Sequence, residues 1–172
     1  MKLAMTFLTL TSLAMLAVPG SATAEEGCSN ATLIGDYAFT LSGQIAAPPP
    51  AAGPVSGVAL THFDGRGNMT QVDHVVHNGV LPAEEWRPGF GPYQVNPDCT
   101  GWMTITQDPA IPSDASPELK IEFVVSENGN AIHTVVSGSP TVPALVANIT
   151  SSATRVHQRG LFPHFSDDSS RR

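Results

Sequence analysis

Histidine is the side chain best suited to bind a metal or move a proton near neutral pH, and this sequence holds six. His74 and His77 stand three apart, which on a strand points them to opposite faces; two ligands from one strand need a spacing of two. His62 falls on a neighbouring strand, and a register pairing Phe63 with Asn68 would bring it to the side of Asp73 and His77. The distances along the sheet are long for a shared ion. Polar residues on a half-solvated strand are the better reading, and neither a metal nor another cofactor is expected. No Gly-x-Ser-x-Gly elbow, His-Glu-x-x-His pair or phosphate-cradling glycine loop occurs, and Gly65-Arg66-Gly67 reads as turn chemistry. Spacing alone assigns no catalytic residue. His133 belongs to a solvent face near Glu122, and His164 to the C-terminal tail.

The segment Val80–Pro92 carries Glu84, Glu85, Trp86 and Arg87 among prolines and glycines, and reads as a loop. Beside a barrel mouth, such a loop gathers ligand contacts. Trp86 would offer an apolar plate, and the acids and Arg87 orientation or proton transfer. The plainer alternative has Trp86 plugging the end of the domain with the charges solvated. Asp73 and Arg155 are the remaining mid-strand charges. If both pointed inward they would pair, because an isolated buried charge is too costly; the surface is the expected place for them.

The elements that must position these residues are strands. Short runs rich in Val, Ile, Thr, Phe and Tyr alternate with Gly, Pro, Asn and Asp clusters, and fifteen prolines with fifteen glycines disfavour long helices. The sharpest element is a hairpin turning on Asn128-Gly129, whose central residues both take positive φ. It pairs Val125 with Ile132, Phe123 with Thr134 and Ile121 with Val136. Leu119, Ile121, Phe123, Val125, Ile132 and Val136 then share one face. Lys120, Glu122, Ser126 and His133 share the other, with Val124 and Val135 as exceptions. A second hairpin joins Gly57–Phe63 to Met69–His77. Asp36–Gly43 precedes it, Gln94–Asn96 and Trp102–Thr106 form a further pair, and Ala153–Gln158 is the last strand. The proline-rich stretch Ala46–Pro54 is a loop that cannot enter a sheet interior, and Gln107–Pro117 and Gly138–Pro143 are connectors. Seven or eight strands in succession imply an all-β domain, either an up-and-down barrel or a sandwich, and closure removes the exposed edges.

Residues 1–24 read as a signal peptide: Lys2, an apolar run from Leu3 to Val18, then Ala22-Thr23-Ala24 before Glu25. The domain would span residues 25–159, with a flexible tail over 160–172. No later stretch could span a membrane as an apolar run. Without Lys2, seven basic residues face fifteen acidic ones, which argues against nucleic acid and anionic lipid. Cys28 and Cys99 are the only cysteines. In an oxidising compartment they pair, closing a loop of 72 residues worth about 4 kcal/mol in the chain-entropy model. That clamp would tie the N-terminus across a barrel end. Asn30, Asn68 and Asn148 head N-glycosylation patterns, relevant only in a eukaryotic host.

Three stretches carry a resemblance: Leu33-Ile34-Gly35-Asp36-Tyr37-Ala38-Phe39, Phe63-Asp64-Gly65-Arg66-Gly67-Asn68 and Tyr93-Gln94-Val95-Asn96-Pro97-Asp98-Cys99-Thr100-Gly101. They resemble small secreted microbial proteins with allene oxide cyclase barrel-like (calycin-type) domains. The resemblance implies a single antiparallel β-barrel over nearly all of the exported chain. Its motifs are turns and strand starts, so it carries over no catalytic residue. Three functions are then expected to compete. The first is a secreted barrel holding a small apolar molecule, the second a cofactor-free cyclase or isomerase, the third a surface protein without a pocket. A purely apolar open cavity favours the first, an open cavity with one or two acids the second, and a sealed interior the third.

Overall fold

The computed structural model describes residues 27–49, 52–107 and 118–157. The leader over 1–24, the tail from Gly160 with His164, and most of the connector before Pro117 lie outside these residues. Eight strands form a closed antiparallel barrel in which each strand pairs with its sequence neighbours and the last pairs with the first. They are β1 (Gly35–Ala47), β2 (Gly53–Phe63), β3 (Asn68–His77), β4 (Arg87–Val95), β5 (Thr100–Gln107), β6 (Leu119–Ser126), β7 (Ala131–Gly138) and β8 (Val146–Arg155).

The Asn128-Gly129 hairpin takes the expected register: Val125 opposes Ile132, Phe123 opposes Thr134 and Ile121 opposes Val136. Its turn closes with the Asn130 amide donating to the Glu127 carbonyl at 3.1 Å. The strands stop at Ser126 and Ala131, so the connection holds four residues rather than two, with Glu127, Asn128 and Gly129 all at positive φ. The apolar face is buried, while Val124 and Val135 stand exposed. His133 faces outward, its Nδ1 3.3 Å from the Ser152 hydroxyl.

Several boundaries differ from the sequence reading. Strand β1 runs to Ala47 and β2 begins at Gly53, so the proline-rich loop is shorter than Ala46–Pro54. Pro54 sits at a strand end opposite Gln44, where a missing N–H is tolerated. Strand β8 begins at Val146 rather than Ala153. The larger change is β4, which takes in Arg87 to Pro92, expected as loop. Gly89 and Gly91 explain it. A β-carbon on Gly91 would lie 1.7 Å from the Thr104 carbonyl oxygen, so only glycine lets β4 approach β5 this closely.

The second correction concerns register. Phe63 pairs with Met69 and not with Asn68. The turn between them holds five residues because the Asp64 carboxylate gathers its amides. Oδ1 accepts from Arg66, Gly67 and Asn68 backbone N–H at 2.7, 3.0 and 3.0 Å, and Oδ2 from Asn68 Nδ2 at 3.0 Å. Four such bonds favour the ionised form and hold Asp64 down to about 2. One residue of slip reverses a face. His62 therefore pairs with Thr70 on the outer surface, with Nδ1 2.8 Å from Asp36 Oδ1. Asp73 and His77 point inward, so the trio His62, Asp73 and His77 does not assemble. No metal-ligand cluster exists among the described residues.

One end of the barrel is plugged. Tyr37, Phe63 and Tyr93 are buried and stack edge to face, with ring centroids 5.4 and 4.9 Å apart, a favoured aromatic geometry. Residues 27–34 lie over this plug. The Cys28–Cys99 disulfide anchors them to the β4–β5 turn, and the Val95 amide donates to Asn30 Oδ1 at 2.7 Å. Arg155 completes the closure. Its guanidinium sits 4.9 Å from the centre of the Tyr37 ring and donates to the carbonyls of Thr32, Gly129 and Ile34. Arg155 is thus neither a surface charge nor a partner of Asp73. The Tyr37 hydroxyl also donates to the Gly129 carbonyl. Burial pushes the Tyr37 phenol above its usual range, against a smaller lowering by Arg155.

Candidate functional site

The other half of the barrel is hollow. An eight-stranded barrel is just wide enough for its inward side chains to fill it, or to hold one small ligand if they do not. Here the inward alternation of β1, β2 and β4 passes through Gly43, Gly57, Ala59, Gly89 and Gly91. Each leaves a space that the rings fill at the plugged end. A β-carbon at Gly57 would meet the His74 carbonyl oxygen at 2.6 Å, so the gaps follow from close strand approach. The result is a cavity of about 580 Å³, a ligand-sized volume.

The cavity walls are mainly apolar, with Phe39, Leu41, Val55, Val75, Ile105 and Ile149 among them. The mouth lies at the loop ends, where Asn78, Val80, Leu81, Pro82 and Leu145 line it. Below the mouth, two polar groups interrupt the apolar wall. On one side Asp73, its side chain only 5% exposed, meets Arg87 Nε at 2.9 Å. Its other oxygen accepts from Gln71 Nε2 at 3.0 Å and Gln107 Nε2 at 3.1 Å. The Thr61 hydroxyl extends this set to Gln71 Oε1 at 3.4 Å. Across the ring, on β7 and β8, the Thr134 and Ser151 hydroxyls bond each other at 2.5 Å.

Asp73 is buried because its charge is answered there. Strands β3, β4 and β5 are consecutive, and register places Asp73 directly opposite Arg87. A buried carboxylate is tolerated when a cation and further donors meet it. The expectation of a surface position for Asp73 fails for this reason, and Val72 next to it takes the outer face instead.

His77 ends β3 and lines the cavity. Its Nε2 is buried with no hydrogen-bond partner among the described residues, a state costing about 1–3 kcal/mol.

The loop residues divide. Arg87 belongs to the cavity wall, whereas Glu84, Glu85 and Trp86 are not among its lining residues. Trp86 is half-exposed and packs edge-on against the outward His74 ring at 6.0 Å. The Glu85 carbonyl oxygen lies 2.6 Å from His74 Nδ1. Trp86 thus neither lines the mouth nor plugs the barrel, because the parity of β3 sends its partner His74 outside. Of the sequons, Asn30 accepts from the Val95 amide, Asn68 donates to Asp64 within its turn, and Asn148 is exposed on β8.

Sequence reasoning did not single out Gln71, Gln107, His77, Thr134 or Ser151 as cavity groups. Once Met69 is known to face inward, alternation along β3 delivers Gln71, Asp73, Val75 and His77 in turn. No helix among the described residues is long and apolar enough to cross a membrane. No family model matches the chain, and no curated protein matches it.

Proposed function

We propose that this protein is an exported binding protein that takes a small, largely apolar molecule through the open end of its barrel. The supporting observation is the cavity of about 580 Å³, hollow at one end and backed by an aromatic plug at the other. Apolar walls supply the driving force, at roughly 25 cal/mol per Å² removed from water, and the polar groups supply orientation. Export is in keeping with the disulfide, which persists where thiols are not kept reduced. The resemblance of three turn motifs to allene oxide cyclase barrel-like domains fits the same picture. Native mass spectrometry of protein taken from its own source tests the reading. A co-purified adduct lost on organic extraction is expected. Protein that carries no adduct and fails to take up an apolar fluorophore would refute it.

Asp73 favours a second reading, a cofactor-free cyclase or isomerase, since the cavity wall holds one acid. Both carboxylate oxygens already accept hydrogen bonds from Arg87, Gln71 and Gln107, which suits orientation better than proton abstraction. Product analysis separates the two: a bound molecule released unchanged supports the carrier, and one released rearranged supports the enzyme.

A further inference from the structure

We infer that the bound molecule is an uncharged alcohol whose hydroxyl group meets His77 at the cavity mouth. This rests on the binding reading above and specifies its ligand. Three observations carry it.

The first is the unpartnered Nε2 of His77, buried at the wall of a ligand-sized space. Buried polar atoms are rarely left without a partner, and an occupant of the cavity can reach this one. The second is charge. The only carboxylate and the only guanidinium among the described lining residues are Asp73 and Arg87, which bond each other. They neutralise one another, so neither offers an unanswered countercharge to a ligand carboxylate or ammonium entering the cavity. The third is position. His77 lies four residues beyond Asp73 on β3, roughly 13 Å along the strand. Leu41, Val55, Val75 and Ile149 line the cavity as well. An apolar chain anchored at His77 therefore descends into apolar wall.

A hydroxyl both donates and accepts. It satisfies Nε2 in either imidazole tautomer, where a ketone or ether satisfies only one.

The test uses the full exported protein, delipidated, at pH 8. Displacement of an apolar fluorophore is measured with 1-decanol, decanoate and decane. Decanol should bind at least about ten-fold more tightly than decanoate, whose charge loses its hydration without a partner. His77→Phe should weaken decanol by about five-fold relative to decane. His77→Gln, which retains a donor and an acceptor, should stay within about two-fold of the parent. Near-UV circular dichroism confirms that each variant is folded. Decanoate binding as tightly as decanol, or a decanol affinity relative to decane indifferent to His77→Phe, overturns the inference and leaves the binding reading standing. Failure of fluorophore and decane alike overturns both.

Discussion

Replacing Arg87 with methionine probes the buried pair that shapes the cavity wall. The Arg87 side chain is 13% exposed and that of Asp73 5%. The substitution preserves much of the stem volume and leaves a carboxylate facing apolar wall. Removing one partner of a buried ion pair costs about 3–5 kcal/mol. Here Gln71 and Gln107 still donate to Asp73, so the lower part of that range applies, about 3 kcal/mol. With a urea m-value of about 1.5–2 kcal/mol/M, the midpoint falls by about 1.5–2 M. The double variant Asp73→Asn, Arg87→Met removes the stranded charge while the asparagine carbonyl still accepts from the glutamines. It should recover most of the loss, about 2 kcal/mol. The assay is equilibrium urea unfolding at pH 7, followed by tryptophan fluorescence with the disulfide intact. A single variant that loses less than about 1 kcal/mol, or a double variant no more stable than the single, would show that Asp73 is not held by this pair.

Three further outcomes are expected. Replacing Cys28 and Cys99 with serine should cost about 4 kcal/mol by freeing the 72-residue loop, and denatured, unreduced parent protein should show no free thiol. Asp64, lowered to about 2 from an ordinary 3.8, contributes stability that is fully present above pH 4 and lost as pH falls toward 2. Urea midpoints measured between pH 2 and 5 should therefore slope less steeply for Asp64→Asn, with Asp98, also lowered by Thr100, accounting for part of the remaining slope. Trp86→Ala should leave uptake of an apolar fluorophore within about two-fold of the parent, since Trp86 packs on the outer surface; a larger loss would return Trp86 to the binding site.

Local chemistry explains which parts of the fold were legible. Asn128-Gly129 marks where the chain reverses, and a single apolar stripe from Leu119 to Val136 then has only one register that keeps it dry. Cys28 and Cys99, as the only cysteines, had one possible intramolecular pairing. The segment Arg87–Pro92 misled for an equally local reason. Two prolines and two glycines are turn chemistry in most settings, yet here Gly91 is what close packing against Thr104 demands.

By itself, the sequence determined that the described chain would be antiparallel β-structure with one crosslink, because strand periodicity and turn residues act over a few positions. It did not determine where the polar cavity groups would meet. Whether Asp73 is a surface charge or a buried one depends on Arg87 and Gln107, 14 and 34 residues away in the chain, and on whether the Asp64 turn holds four residues or five. That added residue inverts the parity of β3 relative to β2, parts outward His62 from Asp73 and His77, and sends Trp86's partner His74 outside. Only the closed barrel decides such parity, because every strand must agree with two neighbours at once.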